Sequence, residues 1–523
     1  RKFLHVILSA ALIIVMIGSV VLSSTEIVAA ASKLKVTPKS KVIYVGDTVK
    51  LKSNISVKWS VTKKSSTKIK LSSKKKKSVT VKAVKAGTAY VSAKHGKTVK
   101  KIKITVRSRV PSSISLKATQ STITVGDYSV VSVRSVRPSY ASKSVTWSSS
   151  DKSIATVDKN GFVKGVSSGR VTITATSKLS KKIRGRITID VVEIAAGTIT
   201  ADFNLTDADK YPAGKVVRLW IPLPSDNDTQ SIPKINFDAP YAAVKKETTD
   251  SAGNKAIYIE WDSSTAPENR TASLSFYVKI SEVLCPDNLA SLEKGSVDTA
   301  KYAEYLKENS RSGSLTSGIV KKTADSIVKE AGATTVYDKA YAIYDWVLEH
   351  LTRDTSTPGL GSGDVEYILT HMDGGIGKCT DVNSVFCALC KAEGIPAREI
   401  FGMYITTCGQ KCKPQFLLPG YGWVDIDPSQ VLKLIVGHED EYRGKDAPNA
   451  EEWAEMKERY WGSADADWFM FSEGRDIVLS PAQSANAADD EKFLNEDGKL
   501  NYFVFPYAEY DGNYIKCWGM NKF

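Results

Sequence analysis

Through the first half of the chain apolar and polar positions alternate with a period of two, the pattern of strands that bury one face. Between Lys33 and about Val106 the alternation runs through Val42-Ile43-Tyr44-Val45-Gly46-Asp47, Val57-Lys58-Trp59-Ser60-Val61 and Lys82 to Val91. The same phrases return about eighty residues later as Ile123-Thr124-Val125-Gly126-Asp127, Val145-Thr146-Trp147-Ser148-Ser149 and Lys164 to Val171, so one structural unit is used twice. Short strands set off by Gly, Asp and Ser turns predict two β-sandwiches, with Trp59 and Trp147 as large core residues. Alternation resumes from about Ala195 to Val283, in Val216 to Leu223 and Ala256 to Trp261, and predicts a third β domain.

From Ser291 the period becomes helical. Val336, Ala340, Ile343, Tyr344, Val347, Leu348 and Leu351 share one face of a helix over 336–351. Val382, Val385, Phe386 and Leu389 do the same in a second helix, which Gly394 and Pro396 stop. Between them, the glycine-rich run Thr357 to Gly363 suits neither helix nor strand and reads as a loop bordering a cleft. Strands at Gln415 to Leu418 and Trp423 to Ile426 flank a Gly420-Tyr421-Gly422 turn. Glu451 to Phe471, carrying Trp453, Tyr460, Trp461 and Trp468, reads as an aromatic helix packed into the core, and Gly474 to Leu479 and Tyr502 to Glu509 as closing strands.

Charge changes the picture in one place. The formal net charge is +15 over 523 residues, yet between Ser32 and Val110 about twenty lysines face the single acid Asp47, so the rest is mildly acidic. A basic module of this kind suits an anionic cell-wall polymer or membrane surface, or is a solvated lysine-rich face; nucleic acid is not expected in an exported chain. Export follows from the N-terminus. Arg1 and Lys2 precede an apolar run from Val6 to Leu22 and small residues at Ala29-Ala30-Ala31, the layout of a secretory signal peptide over residues 1–31, with an uncleaved anchor as the alternative. Seven cysteines (Cys285, Cys379, Cys387, Cys390, Cys408, Cys412, Cys517) all lie in the C-terminal part. An odd number outside the cytosol fits one reactive thiol plus up to three disulfides. Cys387 and Cys390 with Cys408 and Cys412 also meet zinc-ligand spacing, although the first two sit in an apolar helix, where cysteine acts as a small hydrophobe.

The chemistry centres on Gly377-Lys378-Cys379-Thr380-Asp381-Val382-Asn383. Cys379 falls at or just before a helix N-terminus, where free N–H groups and the helix dipole favour thiolate, the attacking form. Gly374, Gly375 and Gly377 let backbone or substrate approach closely. No phosphate loop, Walker motif, His-Glu-x-x-His or Gly-x-Ser-x-Gly occurs, and no cofactor is expected.

A cysteine-led helix followed by Gly409-Gln410-Lys411-Cys412 and Pro419-Gly420-Tyr421-Gly422-Trp423-Val424-Asp425-Ile426-Asp427-Pro428 resembles the bacterial transglutaminase-like family, a Cys/His/Asp triad on a papain-like α+β fold. The resemblance implies Cys379 as nucleophile and Asp427 as orienting carboxylate, and it places Lys411 where the family has histidine. An ammonium with a reference pKa of about 10.4 holds a thiolate by charge but does not shuttle its proton near pH 7. His371 and His438 are the candidate replacements. The repeated Val-Gly-Asp and Trp-Ser phrases resemble bacterial Ig-like domains of group 2, common as surface stalks. The expected architecture is therefore multidomain: signal peptide 1–31, Ig-like sandwiches 32–110 and 111–193, a β-rich domain 194–285 and a transglutaminase-like core 286–523. Two functions follow from the resemblance: an exported thiol acyl-transferase or amidase acting on peptide or cell-wall substrate, or a catalytically degenerate binding module displayed on Ig-like stalks.

Overall fold

The structure, a computed structural model, describes residues 33–354, 360–372, 377–444, 446–484, 494–495 and 497–515. The signal segment, Thr357 to Gly359, Gly374, Gly375 and Cys517 lie outside them. Among the described residues no helix is long and apolar enough to cross a membrane. The chain divides into two compact units, one of residues 1–113 with 136–144 and 177–183, the other of 114–135, 145–176 and 184–523.

The first unit holds a sandwich of two four-stranded sheets. One orders strands 36–37, 48–53, 78–83 and 69–75, the other 40–44, 98–107, 87–95 and 58–61. Inward positions alternate as the sequence does. Leu51, Val79, Val81, Ala89, Val91 and Ile104 are fully buried, with Trp59 among them, while the lysines between them point out. The second sandwich repeats the design. Its strand 122–124 runs parallel to 180–192, as strand 40–44 runs parallel to 98–107 in the first. Trp147 differs from Trp59: it is only half-buried against a smaller core of Val131, Val163, Val171 and Ile173.

The third β domain follows, with strands 194–204, 271–281 and 230–238 in one sheet. Its second sheet orders 244–249, 255–261, 217–223, 507–510 and 513–515. The C-terminal strand at Tyr507 therefore closes this sheet rather than that of the C-terminal core, because Tyr507 packs its ring on buried Trp220, 5.6 Å between centroids. Residues 474–479 form no strand and make one bridge, Ile477 to Leu500.

The C-terminal core is α+β. An antiparallel sheet orders strands Gly422–Asp425, Gln410–Leu418, Ala397–Tyr404 and Trp468–Glu473. The last of these corrects the sequence reading. The helix there is only Ala450–Arg459, and Trp468 to Glu473 is a strand whose buried Phe469 and Phe471 meet Phe276 of the third domain edge-on at 5.8 and 5.9 Å. Both patterns put aromatics at short intervals, and pairing with Ala397–Tyr404 decides for the strand. On the sheet's other face, Phe416, Leu418 and Val424 pack on helices Val336–His350 and Cys379–Ala392. The sheet is thus held from both sides, by a helical core and by the third domain.

Candidate active site

Cys379 occupies the first turn of the helix Cys379–Ala392, as the spacing predicts, and the helix stops at Gly394, whose φ of +73° suits glycine. The helix start is fixed by one buried carboxylate. Asp381 accepts from the Lys378 N–H (2.8 Å) and the Gly363 N–H (2.7 Å), which ties the remainder of the glycine-rich loop to the helix. Leu360 O takes the Thr380 N–H at 3.1 Å and lies 4.0 Å from the Cys379 sulfur. The Cys379 amide itself carries no partner among the described residues.

The strand Gln410–Leu418 supplies the facing wall. Its neighbour Gly422–Asp425 pairs only as far back as Gln415, after which the Ile426 N–H reaches Pro414 O at 3.3 Å. Upstream of Pro414 the same edge is open. There the Cys412 carbonyl accepts from Asn383 Nδ2 at 2.9 Å. The Cys412 thiol is drawn into the same group: it donates to Thr380 Oγ1 at 3.5 Å and accepts from Asn383 Nδ2 at 3.3 Å. The Cys412 thiol lowers the Cys379 pKa most, burial opposes, and the Cys412 N–H and the charges of Arg353 and Lys411 bring it down to about 6. Cys412 is driven the opposite way by burial and by its bond to Cys379.

Lys411, one residue before, points from the other side of the strand. Its Nζ lies 2.5 Å from Asp427 Oδ2 and 2.8 Å from Gln430 Oε1, and the side chain is 5% exposed. Burial pulls the Lys411 pKa down, but Asp427 and Tyr404 outweigh it and push it up to about 12. Asp427 is held in turn as the cap of helix Pro428–Leu434, its Oδ1 accepting from the Gln430 N–H at 3.0 Å and the Ser429 hydroxyl at 3.1 Å. The expected Lys411 and Asp427 are thus brought together, and the charge of Lys411 acts on Cys379.

The candidate histidines stand elsewhere. His371 is exposed, stacked on Tyr367 at 4.2 Å with Nδ1 on the Tyr367 carbonyl, and His438 is exposed beside Glu441 at 2.9 Å. Cys285, Cys379, Cys387, Cys390 and Cys412 are free thiols, so no crosslink ties up the Cys379 sulfur. Cys387 and Cys390 are buried in the cysteine helix with pKa values raised by burial, and among the described residues no three His, Cys, Asp or Glu side chains gather as a metal-binding group. Sequence reasoning missed Arg353, Asn383 and Gln430 and left Cys412 only as a spacing match. Period-two alternation from Lys411 gives the side that Cys412 faces, and Gln430 follows Asp427 in the first turn of a helix; nothing local marks Arg353.

Residues 321–428 match the transglutaminase-like superfamily, and residues 112–187 match the bacterial Ig-like domain, group 2. An uncharacterized protein of Haemophilus influenzae is 29% identical over 333 residues, 58% of this chain and 84% of that protein. A 3-O-alpha-D-galactosyl-alpha-L-arabinofuranosidase of Bifidobacterium longum is 52% identical over 60 residues, 11% of this chain and 5% of that enzyme. Among solved structures, a candidate cysteine protease from Cytophaga hutchinsonii is 16% identical and covers 55% of this chain and 92% of its own, with a TM-score of 0.33. The periplasmic domain of TgpA from Pseudomonas aeruginosa is 14% identical and covers 48% and 87%, with a TM-score of 0.25.

Proposed function

This chain carries a transglutaminase-like core behind a bacterial Ig-like domain, and from that premise we propose that it is an exported acyl-transfer protein whose nucleophile is Cys379. The observation that carries the reading is the buried sulfur at a helix start, favoured as thiolate down to about pH 6. The thiolate attacks an acyl carbonyl, the unpartnered Cys379 N–H receives the developing oxyanion, and the thioester passes its acyl group to water or an amine.

Lys411 sets the leaving group. An ammonium whose pKa is pushed up to about 12 and that is bonded to Asp427 and Gln430 is a poor acid for a departing amine. It acts instead as a fixed counter-ion to the thiolate. Groups that depart as anions, such as thiolates and phenolates, need no such acid, so thioesters and aryl esters are the favoured donors over amides. The same observation favours a second reading, in which the cleft grips a peptide amide or wall polymer without turnover. Steady-state assay of matched thioester and amide donors with wild type and Cys379→Ala separates them: Cys379-dependent thioester turnover supports acyl transfer, and none on any donor leaves the binding module. The lysine-rich first sandwich is proposed to hold the protein against an anionic surface polymer.

A further inference from the structure

Native interiors leave few buried polar atoms without a hydrogen-bond partner, and each such atom calls for an explanation. Two of those in this structure, Thr352 Oγ1 and Arg353 Nε, are on consecutive residues beside the nucleophile. Their position is fixed by the backbone. After the helix Val336–His350 the chain turns extended at Leu351, and the Asp354 N–H donates to Gly377 O at 2.9 Å. Gly377 lies so close to this segment that a Cβ there would stand 3.0 Å from Thr352 O. Residues 352–354 therefore run along the residue two before Cys379. From there Arg353 reaches across to helix Pro428–Leu434, where its Nη1 donates to Ser429 O at 2.6 Å, two residues after Asp427.

Arg353 bridges residues 352–354 and helix Pro428–Leu434 without a carboxylate partner among the described residues. Two other arginines of the core carry a carboxylate partner, Arg475 with Glu399 at 2.8 Å and Arg398 with Glu473, whereas Arg443, like Arg353, donates to a backbone carbonyl, that of Leu351. Arg353 is half-buried, so part of its guanidinium is desolvated with no anion to offset the cost, and its planar fork matches a carboxylate. One N–H is spent on Ser429, Nε is unused, and the neighbouring Thr352 hydroxyl is a further idle donor. Arg353 also acts more strongly on Cys379 than Lys411 does.

We propose that Arg353 and the Thr352 hydroxyl form a carboxylate-binding subsite next to Cys379, so that the preferred acyl donor carries a negatively charged carboxylate near the carbonyl under attack. This rests on the reading of Cys379 as nucleophile.

The test compares, at pH 8 where the thiolate is formed, thioesters of N-acetylaspartate with their neutral asparagine counterparts. The α-thioester presents a side-chain carboxylate and the β-thioester a main-chain one, so the better donor identifies the source. Wild type is expected to prefer at least one charged donor by about 100-fold in kcat/KM, mostly through KM. Arg353→Gln lowers kcat/KM on the charged donors far more than on the neutral ones, Arg353→Lys keeps part of the preference, and Thr352→Val reduces it. Equal use of charged and neutral donors by wild type overturns the subsite, as does an equal loss on both in Arg353→Gln. If no donor turns over, the nucleophile reading has failed. The subsite is then judged by calorimetry with succinate: binding to wild type and Cys379→Ala that Arg353→Gln abolishes sustains it, and no binding to wild type rejects it.

Discussion

The Lys411 ammonium stands 2.5 Å from Asp427 Oδ2, a buried ion pair at the strand position where the resembling family carries an imidazole. Histidine there would exchange a proton near neutral pH; lysine with this partner stays charged. Under the proposed reading, the pair keeps a cation near the thiol and supplies no proton carrier.

Alkylation of Cys379 by iodoacetamide should rise with pH about a midpoint near 6, read by mass-spectrometric peptide mapping. Cys387, Cys390 and Cys412, whose pKa values are raised, should stay unlabelled in the folded protein below pH 8. A Cys379 midpoint near the free-thiol value of about 8.5 defeats the activated-thiol reading. Linkage has a definite sign here. A folded pKa below the unfolded one stabilises the fold above the unfolded value and ceases to do so as pH falls through about 6.

Replacing the fixed cation with a proton carrier should change the chemistry. Lys411→His is expected to raise turnover of amide donors by about 100-fold or more, the range of general acid–base catalysis, with a smaller change on aryl esters. The measurement is kcat/KM on an amide and an aryl ester with the same acyl group. Ordinary amidase rates in wild type would contradict the assigned role of Lys411.

Breaking the pair should cost more than removing it. Lys411→Met leaves the Asp427 carboxylate buried without its cation and should destabilise by about 3–5 kcal/mol in urea unfolding. Adding Asp427→Asn, which preserves the cap on helix Pro428–Leu434, should recover part of that loss. The Lys411 contribution is present in full below the unfolded value of 10.5 and is lost as pH rises through about 12. Equal stability of wild type and Lys411→Met would mean the pair contributes nothing net.

The basic module gives a charge prediction. Full-length protein should bind an anionic polymer such as polyglutamate, with an affinity falling steeply between about 0.05 and 0.3 M salt as the Debye length shortens. Changing Lys74, Lys75, Lys76 and Lys77 to glutamate should weaken that binding. Salt-independent binding, or none, returns these lysines to the role of a solvated loop.

Much of this protein was legible in its one-dimensional pattern. Period-two alternation gave the β domains, the repeat of Val-Gly-Asp and Trp-Ser phrases gave the duplication, and the apolar stripe from Val382 to Leu389 put Cys379 at a helix start. These are local or repeated signals, set by backbone period and capping, and a sequence carries them directly. Trp468 to Phe471 was misread as helix, and the sheet that Tyr507 joins was not foreseen, because strand partners are chosen by packing between segments far apart in the chain. The pairing of Lys411 with Asp427 came from resemblance, and its consequence, a lysine held charged, needed their distance and burial. Arg353 had no local mark at all, and Cys412 only a spacing match. What brings each to the sulfur is a tertiary event: an extended segment laid along Gly377, and a strand edge left open where its neighbour ends. Pattern decided which elements form, and long-range packing decided which charges and donors surround the thiol.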